Sequence, residues 1–331
     1  MSTRRVGFVF AGFAILLIIV FAVSLCVGRY PIAFGEMFGI LTRKIGGLDA
    51  NVFWKIRFPR TMAALLIGAA LSVSGATYQG IFRNPLVSPD ILGAAAGASF
   101  GAALAILLGL GKIWLQCFAF GFGLAGVAIA YVIGVRFSGR MRESTVTLVL
   151  CGMVVTAIFS ALISLVKLAA DPYDELPTIV FWLMGGLTYA AKEDVLIMLA
   201  PLLAGGGLLF LMRFRINILS LSDEEISAIG VNAEQSRRVV ILCATLLTSG
   251  SVAVGGMIAW VGLIVPHIAR LITGPDYRKL LPASLLIGAI FLLAVDDFAR
   301  TLFAIELPLG VLTALVGAPM FLGLLARSGR E

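Results

Sequence analysis

The sequence holds a single histidine, His267, and only four cysteines, Cys26, Cys117, Cys151 and Cys243, each inside an apolar run. No metal-ligand spacing links them, so the cysteines read as small packing residues, and neither a metal centre nor a disulfide framework is expected. An enzyme would need a cluster of acid, base and nucleophile, and none can be assembled here. His267, beside Pro266 at the end of a run, reads as a structural residue. Charge is scarce as well, with only 13% of residues charged. Every Asp and Glu falls at the end of an apolar run or between runs. An ion-coupled secondary transporter keeps carboxylates near the bilayer midplane as proton or sodium sites, so that class is a distant alternative. A phosphate-cradling G-x-x-x-x-G-K-[ST] loop is missing too: isoleucine follows Gly111-Lys112, and no glycine stands five residues before it. The chain cannot hydrolyse ATP by that route.

What is present is apolar. With 60% hydrophobic residues and a mean hydropathy of +1.05 over 331 residues, the chain carries more apolar surface than a water-soluble core could bury, and it belongs in a bilayer. A spanning helix takes about 20 apolar residues. Runs between charged breaks give ten candidates: 7–27, 61–81, 92–111, 113–135, 145–166, 195–212, 239–254, 256–272, 280–295 and 307–326. Only Gly255-Gly256 separates the seventh from the eighth. The N-terminal run is too long for a secretion-signal core and lacks a small-x-small cleavage site, so it reads as a retained span. Gly93, Gly97 and Gly101, four apart, place three glycines on one helix face, where backbones can approach.

Lys and Arg set the orientation. With ten spans and both termini inside, fifteen of the 25 basic residues lie on the inner side, as the positive-inside rule expects. Six of the outer ones crowd one segment: Arg29, Arg43, Lys44, Lys55, Arg57 and Arg60. Either an acidic outer partner or anchoring at the membrane surface beside Trp54 explains them.

Between two apolar runs lies a charged island, 213–238. Ser222 and Glu225 form a capping box, in which Ser222 accepts from the amide of residue 225 and Glu225 from that of residue 222. Gly230 can close the short helix that follows, and Asn232 with Gln235 repeats the starting signature. Two short capped helices with a sharp turn between them are expected, facing the cytoplasm. On the same side, Arg83-Asn84-Pro85-Leu86-Val87-Ser88-Pro89-Asp90 is a break that cannot continue a helix, serving as a gate or as a plain turn. The loop Arg140-Met141-Arg142-Glu143 returns there, and Ser144 can cap the next helix. The outer connection 169–191 is too apolar at its end to be solvated and should fold back onto the membrane. A weak internal echo, Leu71–Gly75 with Leu246–Gly250 and Val154–Ala161 with Val311–Ala318, fits an inverted repeat.

Several motifs in order, Arg57-Phe-Pro-Arg60, Asn84-Pro-Leu86 through Gly93, Gly262 through Pro266-His267 to Arg270, Leu281-Pro282, Asp296-Asp297-Phe-Ala-Arg300 and Glu306-Leu-Pro308-Leu-Gly310 through Pro319, resemble the FecCD-type permeases of binding-protein-dependent ABC importers for iron-siderophores, vitamin B12 and haem. Cys151 and Trp260 depart from the usual pattern. The resemblance implies an all-α integral membrane protein of ten transmembrane helices, similar to the vitamin B12 permease (type II importer). It would form a single permease domain over 1–331, with coupling helices at 214–238. It implies a second permease subunit, forming a homodimer or related heterodimer, two cytoplasmic ATPase subunits and a periplasmic or lipid-anchored substrate-binding protein; nucleic acid is not a partner. The implied location is a bacterial or archaeal cytoplasmic (inner) membrane. No cofactor belongs to this chain, and ATP with Mg belongs to the ATPase partner.

Carried over by motif, Ser222, Asp223, Glu224, Glu225 and Gly230 would form the ATPase-coupling element. Arg57, Arg60 and Arg300 would meet carboxylates of the binding protein, and Asn84, Leu86, Ser144 and Thr145 would stand at the cytoplasmic gate. The expected cargo is a ferric siderophore, with corrinoid, haem or molybdate as alternatives. Lys167, near the outer end of a span that would line the path, either attracts an anionic cargo or snorkels to the headgroups.

Overall fold

The computed structural model describes residues 3–137, 144–302 and 305–328, and none of these forms a strand. In chain order the helices are α1 (Thr3–Cys26), α2 (Phe34–Leu41), α3 (Leu48–Ile81), α4 (Ala94–Leu107), α5 (Lys112–Phe137), α6 (Ser144–Ala169), α7 (Glu175–Leu183), α8 (Lys192–Leu211), α9 (Arg213–Leu219), α10 (Asp223–Ala228), α11 (Ala233–Gly255), α12 (Val261–Thr273), α13 (Tyr277–Thr301) and α14 (Leu309–Ser328). Each apolar run of the sequence falls on its own helix. Among the described residues, 7 helices are long and apolar enough to cross a membrane: α1, α3, α5, α6, α8, α11 and α13. Two further apolar helices, α4 and α12, are shorter, and α14 is apolar over Leu309–Gly323.

The short ones correct the sequence boundaries. At 14 residues, α4 reaches about 21 Å, against a hydrocarbon layer of about 30 Å. The run that starts at Gly256 is helical only from Val261, because Gly256 and Trp260 adopt positive φ values of 66° and 70°. The Gly255-Gly256 break is therefore real. Conversely, α3 begins thirteen residues before its apolar run. Pro59 lacks an amide hydrogen and crowds the preceding turn; the π turn Phe53–Arg57 just ahead of it widens the helix and lets it continue. The same pairing recurs in α8, where Pro201 precedes the π turn Leu202–Gly206.

Helix α3 is the buried pillar, whereas α1 lies at the perimeter. Its sequence explains this, since small residues replace bulky ones along its length. A Cβ at Gly75 would collide with the backbone of Gly262 on α12, and one at Gly68 with that of Gly288 on α13. Hydroxyl groups tie α3 to α11: Ser74 Oγ lies 2.8 Å from Thr248 Oγ1 and donates to the Ala244 carbonyl at 2.9 Å, and Tyr78 OH lies 2.9 Å from Thr245 Oγ1. Each such buried bond contributes about 1 kcal/mol. The echoing segments Leu71–Gly75 and Leu246–Gly250 thus pack side by side. The glycine face of α4 holds for two of its three members: Gly97 and Gly101 lie against the carbonyls of Phe122 and Phe118 on α5, whereas Gly93 precedes the helix with φ of 84° and faces Val155 and Thr156 of α6. The connection 169–191 folds back against the helices, with Ile179 of α7 packed among Ala103, Val166 and Ala170.

Candidate functional site

The charged island forms a polar surface around α10. The capping box is complete, with Ser222 N donating to Glu225 Oε2 at 2.8 Å and Glu225 N to Ser222 Oγ at 3.3 Å. Hydrogen bonds to the Glu225 carboxylate, from the Ser222 amide first and the Ser222 hydroxyl second, hold it below its ordinary pKa. Ile226 is fully buried and pins α10 to the body, while Glu224 and Glu225 face outward. Gly230 makes the sharp turn with φ of 77° and open space where a side chain would stand. Asn232 Oδ1 then accepts from Gln235 N at 3.0 Å. One expectation needs correcting: the helix that Asn232 caps is not a second short one but the start of α11, which runs unbroken to Gly255. The short neighbour of α10 is α9, fastened where Asn217 Nδ2 donates to Asp276 Oδ1 at 2.8 Å and Tyr277 N to Asn217 Oδ1 at 2.9 Å. The side chain of Asp223 lies outside the described residues.

Next to the island, the two-proline break is a built turn. Leu86 N donates to Asn84 Oδ1 at 2.9 Å, leaving Asn84, Pro85 and Leu86 exposed while Val87 is buried. Asp90 Oδ1 accepts from Ala95 N at 2.7 Å and caps α4. Gln79 at the end of α3 donates to the Leu263 carbonyl at 3.1 Å and accepts from Arg270 Nη2 at 3.0 Å, binding the turn to α12. Helix α6 begins at Ser144. The side chains of Ser144 and Thr145 lie outside the described residues, as does the loop holding Arg140 and Arg142.

At the opposite end, the structure brings Arg57, Arg60 and Arg300 together but turns them inward, at 5%, 6% and 4% exposure. Arg60 donates through Nε and Nη2 to Asp296 Oδ1 at 3.0 and 2.9 Å, and through Nη1 to Glu306 Oε2 at 2.9 Å. Arg300 pairs with Asp297 and donates to the Ser24 carbonyl at 2.8 Å; Ser24 Oγ donates to Asp297 at 2.6 Å. Arg300 Nε is 3.4 Å from Asp296, within ion-pair reach but too poorly aligned for a hydrogen bond. Arg57 donates only to the Tyr30 carbonyl, at 2.8 Å. Three cations thus lie with three carboxylates of the same chain, so much of their charge is compensated within the fold. Arg57 Nη1 and Arg300 Nη1 nevertheless stay buried without an acceptor among the described residues.

Glu306 links this cluster to its surroundings. Thr188 Oγ1 donates to the same Oε2 at 2.9 Å. Burial alone would raise the Glu306 pKa, but the charge and hydrogen bond of Arg60, with the Thr188 bond, hold it below the ordinary value. Thr188 also borders a cavity of about 760 Å³ between α4, α5, α7 and α11. Its polar wall centres on buried Asp194, which accepts from Lys112 Nζ at 2.6 Å and Gln116 Nε2 at 2.5 Å. At its wall, the ends of three helices are stitched through backbone: Gly186 N donates to the Gly255 carbonyl at 2.9 Å, Leu309 N to Gly185 at 2.9 Å and Gly310 N to Met184 at 3.1 Å. Sequence reasoning gave no role to Asp296, Asp297, Glu306 or Asp194. The signal was there for the first three, since carboxylates inside an otherwise apolar chain need partners and the arginines were already in view.

Comparison with known proteins comes down on one side. The model of the FecCD transport family matches residues 16–327. The chain is 39% identical over 315 residues to the molybdate import system permease protein of Haemophilus influenzae, covering 94% of this chain and 93% of that one. It is 42% identical over 277 residues to a Helicobacter pylori permease protein named for iron chelatin transport, covering 84% and 83%. A solved ABC transporter described as of metal-chelate type, in an inward-facing conformation, matches with a TM-score of 0.87 at 37% identity, over 97% of this chain and 99% of that chain.

Proposed function

The chain belongs to the FecCD transport family, and from that premise we propose that it is the membrane permease subunit of an ABC importer for metal chelates, with an iron chelate as cargo. Ten helices cross the inner membrane, α4 and α12 doing so with help from their non-helical flanks, and both termini are cytoplasmic. A second copy completes the path, two ATPase subunits with their ATP and Mg sit below, and a substrate-binding protein docks above. The observation that carries this reading is α10, a capped helix with Glu224 and Glu225 turned to water, Ile226 sunk in the body and Gly230 at its exit. Such a helix is held firmly to the core yet presents a charged knob, which suits it to a cleft in a separate ATPase.

Coupling then follows as population shift. ATP-driven closure of the partners makes a differential contact with α10, and α9 and the start of α11 carry that bias to the turn at Asn84–Leu86 beside the start of α6. Gate residues Asn84, Leu86, Ser144 and Thr145 keep that role in this reading. On the outer side, docking through Arg57, Arg60 and Arg300 works by exchange. A carboxylate of the binding protein reaches the acceptor-free Nη1 atoms of Arg57 and Arg300 and competes with Glu306 for Arg60. Losing Glu306 also frees Thr188, at the wall of the outer cavity.

Vesicles holding this chain with its ATPase and binding protein test the reading. Ferric chelate should accumulate only with ATP inside the ATPase compartment and with the binding protein present. Uptake by the chain without an ATPase would overturn it. Molybdate is the second cargo to assay, because the 39% identity to a molybdate permease covers 94% of this chain.

A further inference from the structure

Two breaks between helices meet halfway through the membrane. The apolar stretch 61–81 of α3 measures about 30 Å, as thick as the hydrocarbon layer, and Leu71 stands at its midpoint. Gly262, at the start of α12, packs at that level: a Cβ on it would meet the Leu71 carbonyl and the ring of Pro89. A second ruler agrees. Trp260 lies against Gly317 of α14, about 12 Å along that helix from its first residue, Leu309. The end of the non-helical segment 256–260 and the turn that carries Pro89 and Asp90 are therefore near mid-depth, side by side around a cavity of about 130 Å³.

Lipid is the wrong cover for such a place. Non-helical backbone has amides and carbonyls to satisfy, and at this depth it is tolerated only inside protein or against water. Among the described residues, the amides of Met257, Ile258, Ala259 and Trp260 find no backbone acceptor. Ala259 is nevertheless exposed, and Met257, Trp260, Ser88 and Asp90 are partly so. Trp260 sits here at φ of 70°, costly for a bulky residue, with its indole against Phe321 of α14 at 6.2 Å between ring centres. The Asp90 carboxylate accepts from amides at the start of α4 and, among the described residues, pairs with no cation. A second copy packed tightly on this spot would seal an uncompensated charge into the contact. Water serves both the amides and the charge.

We propose that the cargo touches the permease here in mid-passage. Ala259 and the indole of Trp260 offer an apolar contact to the organic shell of a chelate. The Asp90 carboxylate sets the sign of what passes, favouring uncharged and cationic chelates over oxyanions and strongly anionic ones. This station rests on the transport reading above, in which a second copy forms the opposite wall of the path.

The assembled importer in vesicles, carrying Ala259→Cys, tests the station through two membrane-impermeant thiosulfonates added on both sides, one bearing a trimethylammonium and one a sulfonate. Mass spectrometry of the peptide holding residue 259 reads the labelling. Both reagents should react, and binding protein loaded with an uncharged ferric tris-hydroxamate should slow both relative to unloaded binding protein. Asp90→Asn keeps an acceptor for the α4 amides and should lower the ratio of cationic to anionic rate by about fivefold or more, the effect of one unit charge at about 4 Å in water. Should that variant fail to assemble, the same ratio with Asp90 intact is compared with that of free cysteine, and a ratio no higher than free cysteine's would overturn the charge role. Ile18→Cys, exposed on the perimeter helix α1, should stay unlabelled, showing that neither reagent enters lipid. An unlabelled residue 259 in vesicles that still take up ferric chelate would overturn the station and leave the transport reading standing. So would labelling that loaded binding protein does not slow, or a reagent ratio indifferent to Asp90→Asn. Absence of ATP-dependent uptake by the native chain would instead overturn the transport reading, and the station with it.

Discussion

Asp296→Asn is the sharpest perturbation of the outer cluster. Asp296 is 1% exposed and takes two hydrogen bonds from Arg60, at 3.0 and 2.9 Å. With its charge gone, Arg60 keeps only Glu306, at the rim, and Arg300 loses its nearest second carboxylate. Breaking a buried pair by neutralising one member costs about 3–5 kcal/mol, because the other charge stays desolvated without compensation. Asparagine retains one acceptor oxygen, which puts the expected loss at the lower end, about 3 kcal/mol. Removing both charges is a different matter: the double variant Arg60→Met with Asp296→Leu replaces the pair by apolar volume and should destabilise less than Asp296→Asn alone. Unfolding in mixed micelles, followed by tryptophan fluorescence, measures all three proteins. Glu306→Gln, at a more exposed pair, serves as the comparison and should cost only about 1 kcal/mol. If Asp296→Asn were no more harmful than Glu306→Gln, or if the double variant were the worst, burial would not be what governs this cluster.

Glu306 itself makes a pH prediction. Its pKa is held below the ordinary value, so its pairing with Arg60 stabilises at neutral pH and is lost as pH falls through that lowered value; stability should drop below about pH 4.3, and Glu306→Gln should flatten that part of the curve. Gly75→Ala drives a methyl into the backbone of Gly262, where no side chain can yield, and should cost about 1–3 kcal/mol in the same unfolding assay, whereas Gly12→Ala, with nothing nearby, should be silent. Gly230→Val has space but the wrong backbone, since φ of 77° suits glycine and not a β-branched residue; ATPase activity of the assembled importer should persist while uptake collapses, and unchanged uptake would count against the coupling role of that turn.

Much of this architecture was legible in the residues. Apolar runs located each of the 7 helices that, among the described residues, are long and apolar enough to cross a membrane, the Ser222 and Glu225 pair announced α10, and Gly97 and Gly101 foretold the contact of α4 with α5. Boundaries were harder. Nothing local marks Leu48 as the start of α3, because the π turn that admits Pro59 is a property of the packed helix. Likewise the eighth run reads as apolar from Gly256 onward, yet Trp260 at φ of 70° delays the helix by tertiary constraint. The arginines were the instructive case. Spacing put Arg57 and Arg60 on one face, but only the fold shows that Asp296 and Glu306, more than 200 residues away in sequence, meet Arg60.

From Phe58 to Ile81, α3 has neither an irregular turn nor an interior proline beyond its first turn. Arg60 at one end and Gln79 at the other are therefore joined by a stiff strut about 29 Å long. Whatever lifts, tilts or rotates one end is delivered mechanically to the other without a relay of intermediate contacts, so evolution of the Arg60 cluster and of the Asn84–Leu86 turn must proceed in step.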